Sequence, residues 1–305
     1  MTTVITKWAA GALTLGLSAT AGGQSLGDFS SQTASFFEPW AASTLAQAEA
    51  EGATDEGFTV FADNGEEYSG AQGLISLQGT RGTFLNPTSG TLGQGQFTIQ
   101  YCILLADQEA PNSDITGHGI LGSYGVTDWL EVGFFYNAAE VRALDEIIAV
   151  AGPTVRARVL KETDVMPEVS IGGLWFDGDR TSDALSRQEA YVVASKNFEI
   201  DEDGFVQAFR VHGGVRQAWR HDAPAAAVDN GTVGHVGGEL FMPYGFSLIA
   251  EVNSQDDFFG PRTPFALGGQ WKPVGGILGL SVAHVQNGGL NRPAVYIGIG
   301  GVFEF

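Results

Sequence analysis

The chain has a single cysteine, Cys102, in 305 residues. An internal disulfide and a CxxC metal or redox site are thereby excluded, and so low a thiol content is compatible with export. Cations are scarce too: 15 Lys plus Arg stand against 35 Asp plus Glu, a formal charge of -20. Such a balance offers no phosphate-binding surface and argues against nucleic acid as a partner. Long apolar runs are also missing. The stretch Trp8 to Ser18 falls short of the roughly 20 residues a spanning helix needs, and no later segment approaches that length. Any membrane role must come from strands.

What is present points the same way. The 43 glycines, 20 Phe, 7 Tyr and 6 Trp are the composition of a strand-rich protein with many tight turns. At the N-terminus, Lys7 supplies a positive region, Trp8 to Ser18 an apolar core and Ala19-Thr20-Ala21 a small-residue cleavage site, so residues 1–21 read as a signal peptide. Residues 22–57 are small, polar and acidic and read as a flexible periplasmic leader, with a short helix within Phe36 to Ala50. Residues 58–95 form an irregular segment at or in the mouth of a barrel. Gly79-Thr80-Arg81-Gly82 and Asn86-Pro87-Thr88-Ser89-Gly90 hold too many turn residues for a regular strand, unless the segment adds a further strand pair.

From residue 96 to 305 the organisation becomes regular. Twelve segments rich in β-branched and aromatic residues, each about ten long, are divided by Gly, Pro, Asn and Asp clusters. They span 96–105, 118–126, 129–138, 150–161, 167–177, 188–199, 205–219, 232–242, 246–254, 264–273, 277–287 and 293–305. Short connections such as Thr127-Asp128 and Thr163 to Met166 alternate with longer ones such as Ala139 to Ala149 and Arg220 to Gly231. An even strand number with this alternation predicts an all-β fold: an antiparallel transmembrane β-barrel of about 12 strands, or 14 if residues 58–95 add a pair.

Side chains alternate as such a barrel requires. Leu130, Val132, Phe134 and Tyr136 fall on one face, as do Val155, Ala157 and Val159, and Leu248, Ala250 and Val252. For Glu239 and Glu251 both to face inward, the turn between them must be odd in length, which selects Pro243-Tyr244-Gly245. Segments 118–126 and 188–199 fit either orientation.

The chain ends Val295-Tyr296-Ile297-Gly298-Ile299-Gly300-Gly301-Val302-Phe303-Glu304-Phe305. This resembles the terminal strand of bacterial outer-membrane β-barrel, porin-like proteins. The resemblance implies an outer-membrane location, with Phe303 and Phe305 as part of the signal read by the barrel assembly machinery. Gly73-Leu74-Ile75 followed by Asn86 to Leu92 and Gly95-Gln96, then Tyr124 to Gly133, and Leu248 to Glu251, resemble the YjbH-like exopolysaccharide-associated outer-membrane proteins, and no functional residue is carried over from them.

The same register places Arg156, Arg158, Arg210, His212, Arg216 and Lys272 in the lumen with Glu131, Glu168, Glu239, Glu251 and Gln270. On the lipid face an Arg or Lys would cost about 2–4 kcal/mol at midplane, so the interior is their place. Two roles are open. The arginines can form a basic wall opposite acids across a water-filled constriction, giving a passive pore for small polar solutes; or the same groups pair across strands and fill a non-conducting structural or export-accessory barrel. Expected partners are outer-membrane lipid and the solute, with no cofactor. The five histidines form no triad with a serine, so no enzyme is expected, and Asp256-Asp257 read as solvated loop charge.

Overall fold

In a computed structural model, the described residues are 59–61, 67–69, 76 and 82–304, less the loop positions 108–113, 142–145, 179–185, 202–203, 221–229, 259, 273–277, 289 and 291. Residues 1–21 and 22–57, expected as a signal peptide and a leader, and Phe305 lie outside them. A two-stranded antiparallel hairpin pairs β1 (Thr59–Phe61) with β2 (Glu67–Ser69).

Twelve further strands close into one antiparallel barrel: β3 (Gln96–Ala106), β4 (Ile115–Thr127), β5 (Leu130–Val141), β6 (Glu146–Leu160), β7 (Glu168–Gly178), β8 (Arg187–Glu199), β9 (Ala208–Arg220), β10 (Asn230–Met242), β11 (Phe246–Asn253), β12 (Phe265–Trp271), β13 (Leu278–Gln286) and β14 (Ala294–Glu304). Each pairs with its neighbour in sequence. The ring closes between β14 and β3, from Val295 opposite Leu105 to Glu304 opposite Gln96, so no barrel strand is left with an unpaired edge. All twelve expected strands are present, and among the described residues the barrel has twelve strands, not fourteen: β1 and β2, the pair within residues 58–95, bond to each other and not to the ring.

The period of two is what makes the ring amphipathic. Along β11 exposure alternates residue by residue, with Phe246, Leu248 and Val252 outward and Ser247, Glu251 and Asn253 buried. The same outward row continues through Val132, Phe134 and Tyr136 on β5 and Val295, Ile297 and Ile299 on β14. The two unassigned strands resolve here: β4 buries Leu121 and Ser123 and exposes Ile120 and Tyr124, while β8 buries Glu189, Tyr191 and Val193 and exposes Val192.

The connection between β10 and β11 is the odd three-residue turn Pro243–Gly245. It needs two left-handed residues in succession, Tyr244 at φ 63° and Gly245 at φ 76°. Only glycine adopts that conformation freely, so Tyr244 carries a local cost that the fixed register imposes.

Connection lengths alternate less than expected. The loop taken as Ala139 to Ala149 shrinks to 142–145, because β5 and β6 continue pairing out to Val141 opposite Glu146. On the opposite end, the connection expected at Thr163 to Met166 spans 161–167 and is closed on itself, with the Met166 amide donating to Thr163 Oγ1 at 3.1 Å and the Thr163 amide to the Met166 carbonyl at 3.1 Å.

Candidate functional site

Arg156, Arg210, His212, Arg216, Glu131, Glu239 and Glu251 are all buried in the barrel interior. Arg158 and Glu168 are partly buried near the end that carries the 161–167 turn, where they form an ion pair at 3.3 Å. Gln270 is half-buried on β12. Lys272 lies one residue past the end of that strand, its backbone amide donating to the Gly245 carbonyl at 2.9 Å, because β12 stops at Trp271 and the chain turns there. Phe303 is half-buried opposite Phe97.

The arginines do not stand as an unpaired wall. Arg210 sits directly opposite Glu239 on the neighbouring strand at 3.6 Å, and its Nε donates to Asn197 Oδ1 at 2.8 Å. Arg216 reaches Glu189 at 3.5 Å, and the same carboxylate takes Arg187 at 2.7 Å. Arg210–Glu239 and Arg216–Glu189 are cross-strand pairs, Arg187–Glu189 a pair within β8, and all lie in the buried interior, where a lone charge would cost several kcal/mol and a paired one is tolerated.

Arg156 does something else. Its guanidinium donates through Nη1 to the backbone carbonyls of Thr88, at 3.0 Å, and Gly90, and through Nε to the Tyr191 hydroxyl at 3.2 Å. The segment it grips, residues 82–94, runs through the barrel interior, deeper than the mouth. Thr83, Phe84, Leu85, Asn86, Thr88, Ser89, Thr91 and Leu92 are all buried.

The segment begins with a tight turn. Gly82 bridges Pro87, and the Thr83 amide donates to the Asn86 carbonyl at 3.0 Å. Glu251 holds that turn, accepting from the Thr83 hydroxyl, the Leu85 amide and Asn86 Nδ2, each at 2.6 Å. Asn86 Nδ2 also donates to Asn253 Oδ1 at 2.7 Å. Hydrogen bonds to an ionised group contribute roughly 1.5–3 kcal/mol each, so this carboxylate is the strongest single anchor of the turn.

From there the chain crosses to β8 and β7. The Ser89 amide donates to Ser195 Oγ at 3.1 Å, the Ser89 hydroxyl to Glu168 Oε1 at 2.8 Å, and Ser170 Oγ to the Ser89 carbonyl. Near β5 the Leu92 amide donates to Glu131 Oε2 at 3.0 Å and Thr91 Oγ1 to the Asp128 carbonyl at 2.8 Å. Finally the Gly95 amide donates to the Gly125 carbonyl at 2.9 Å, and β3 begins. At Gly125 a Cβ would stand 2.0 Å from the Gly93 carbonyl oxygen, so glycine is what lets the segment leave the lumen against β4.

The apolar side of the turn faces the other wall. Phe84 meets Tyr296 edge-on, with ring centroids 5.5 Å apart, and Phe84 and Leu85 join a buried cluster with Cys102, Leu121, Phe135, Ala283 and Val285. Tyr296 accepts a hydrogen bond from Gln100 Nε2.

Sequence reasoning left β8 without an orientation and so missed Ser195 and Glu189, and it did not foresee the inserted segment. The alternating parity of Arg187 and Glu189 was a usable signal for β8. Lys196, at the opposite parity, obscured it: its side chain leaves the strand to pair with Glu162 at 3.1 Å. Asp256 is a loop cap, its two carboxylate oxygens accepting from the Phe258 amide at 2.9 Å and the Thr232 amide at 3.2 Å. Among the described residues no cluster of three or more His, Cys, Asp or Glu is arranged to hold a metal.

No protein-family profile and no curated protein matches the chain. Solved structures similar to it are bacterial outer-membrane barrels. An outer membrane channel from Pseudomonas putida F1 aligns at TM-score 0.46 and 13% identity, over 72% of this chain and all of that one. The outer membrane protein Omp33 of Acinetobacter baumannii aligns at TM-score 0.42 and 13% identity over 70% of this chain and all of that one. The translocator domain of the autotransporter NalP from Neisseria meningitidis aligns at TM-score 0.41 and 13% identity, over 70% of this chain and 90% of that one. Overlays this loose transfer no role, and the resemblance to YjbH-like proteins gains nothing from them. The barrel class rests on the strand pairing itself.

Proposed function

We propose that this protein is an outer-membrane channel for small polar solutes whose lumen, at rest, is occupied by its own residues 82–94. The observation that carries the reading is the opposed faces of the ring: an outward row of Val, Ile, Leu, Phe and Tyr in every clear strand, and an inward face of arginine–carboxylate pairs. The first suits hydrocarbon, in which only closed structures satisfy their backbone; the second suits a polar passage. Outer-membrane lipid, the barrel assembly machinery and the solute are its proposed partners.

A second reading, a non-conducting structural barrel, is favoured by one feature: the segment is hydrogen-bonded to five strands, packs a ring against a sixth and is buried along most of its length. Planar-bilayer recording of the refolded chain, beside a double variant Ser89→Cys with Ser195→Cys, separates the two. Stepwise conductance that oxidation of the cysteine pair suppresses and reduction restores supports a channel gated by the segment. Silence in both redox states, and in a variant with residues 83–92 replaced by a short glycine-serine linker, supports the structural barrel.

A further inference from the structure

Beneath the Asn86 to Ser89 stretch lie two histidines that this scheme has not used. On one rung of the barrel wall, register pairing sets Ser195 of β8 beside His212 of β9, then Gly237 of β10, then Glu251 of β11. The inserted segment is bonded to both ends of that rung, through Ser89 to Ser195 and through Thr83, Leu85 and Asn86 to Glu251. His212 lies between them, 1% exposed, and neither of its ring nitrogens has a hydrogen-bond partner. It leans over Gly237, where a Cβ would stand 2.3 Å from His212 Nε2 and 3.0 Å from the Glu251 Cβ.

His235 occupies the next rung, between Gly214 and Asn253. It too is buried, and the backbone of Pro87, in the inserted segment, interacts with its ring. Two diagonal imidazoles on adjacent strands thus face the inserted chain, His212 with no hydrogen bond among the described residues and His235 beside the Pro87 backbone.

An imidazole is the side chain that gains a charge as the pH falls from neutral to moderately acidic. Here nothing stands ready to receive that charge. The charged groups around the pair are Arg210 and Arg216 on β9, Glu239 on β10, Glu251 on β11, and Arg187 with Glu189 on β8. Each of the three carboxylates is already engaged: Glu239 by Arg210, Glu189 by Arg187 and Arg216, and Glu251 by the turn. Protonating both rings adds two cations to a site that already holds three arginines against three engaged carboxylates. The system can lower that energy by drawing Glu251 away from the turn or by admitting water between the segment and the wall. Either step loosens residues 83–89.

We propose that His212 and His235 form an acid-sensitive latch under the inserted segment: protonation of the pair releases residues 83–92 from the charged wall and opens the lumen. The release rests on the wall geometry alone; that it opens a passage rests on the channel reading above.

Two measurements on the full refolded chain keep these apart. Hydrogen exchange in detergent micelles, compared between about pH 7.5 and about pH 4.5 and corrected for intrinsic exchange, is expected to show protection at Leu85, Ser89 and Leu92 falling roughly tenfold or more in acid while the β13–β14 amides stay protected. The double variant His212→Gln, His235→Gln is expected to lose that acid response. Bilayer recording across the same pH step is expected to show conductance rising in the wild type only. Unchanged protection in the wild type overturns the latch, and so does an acid response that survives in the double variant, which would place the titration on a carboxylate. Loss of protection without conductance keeps the latch and overturns the channel.

Discussion

From β12 through β14 and on to β3 and β4, inward positions within the strands carry Ala266, Gly268, Gly279, Ser281, Ala283, Gly298, Gln100 and Leu121, none of them charged. From β5 to β11 they carry Glu131, Arg156, Glu168, Arg187, Glu189, Arg210, Arg216, Glu239 and Glu251. Residues 82–94 separate the two walls and match each with a different face: Phe84 and Leu85 turn to the uncharged wall, while backbone amides and carbonyls turn to the charged one. A peptide backbone buried inside a protein needs donors and acceptors more than it needs apolar contact. The charged wall supplies them, and so holds this segment through groups that any sequence possesses, while the uncharged wall selects it by shape.

If that division is right, variants in the two walls differ in kind as well as size. The largest effect on stability is expected from Phe84→Ala. It removes a buried ring packed against Tyr296 and leaves a cavity, at a cost of about 3–5 kcal/mol in the urea-unfolding free energy measured in micelles. Because no charge changes, ion selectivity in any open state should stay that of the wild type. A shifted reversal potential for Phe84→Ala would break the comparison.

Glu251→Gln comes next. The amide keeps an acceptor for one donor of the turn but loses the charge that strengthens all three bonds, so the segment should weaken by roughly 2–3 kcal/mol. Exchange at Leu85 reads this directly. In contrast to Phe84→Ala, the loss should come with a drift of selectivity away from cations, since a lumenal carboxylate is gone. If Leu85 stays as protected as in the wild type, Glu251 is not the anchor.

The strands were legible because period-two alternation and turn residues are local signals, and the odd turn at Pro243–Gly245 followed from requiring two glutamates to share a face. The inserted segment was not, for an equally physical reason. Asn86 to Gly90 has no period, and its partners Glu131, Ser195 and Glu251 lie from about 40 to 170 residues away. The inward placement of the two glutamates could be argued from burial cost, but what satisfies them could not: an inward Glu251 is compatible with a facing arginine or with three donors from a turn. His212 is buried on β9, and its lack of a hydrogen-bond partner among the described residues is a property of the assembled rung with no signature in the chain.

In the uncharged wall, Tyr296→Phe removes one hydroxyl that accepts from Gln100, with a predicted loss of about 1 kcal/mol and no change in salt dependence. A larger loss would mean that this wall also holds the segment through polar contacts.

The smallest effect is expected where the charged wall meets solvent. Arg158 and Glu168 are paired at 3.3 Å, but their side chains are 21% and 16% exposed, so screening reduces what the pair contributes. Arg158→Gln should cost no more than about 1 kcal/mol, and less at high salt. Glu168 would keep its bond from the Ser89 hydroxyl, so the segment stays in place. Arg156, two residues earlier on β6, is buried and spends its donors on the Thr88 and Gly90 carbonyls, which makes Arg158→Gln the control for depth. If Arg158→Gln releases the segment as readily as Arg156→Gln, the grip depends on total positive charge at this end of the lumen and not on the directed bonds of one arginine.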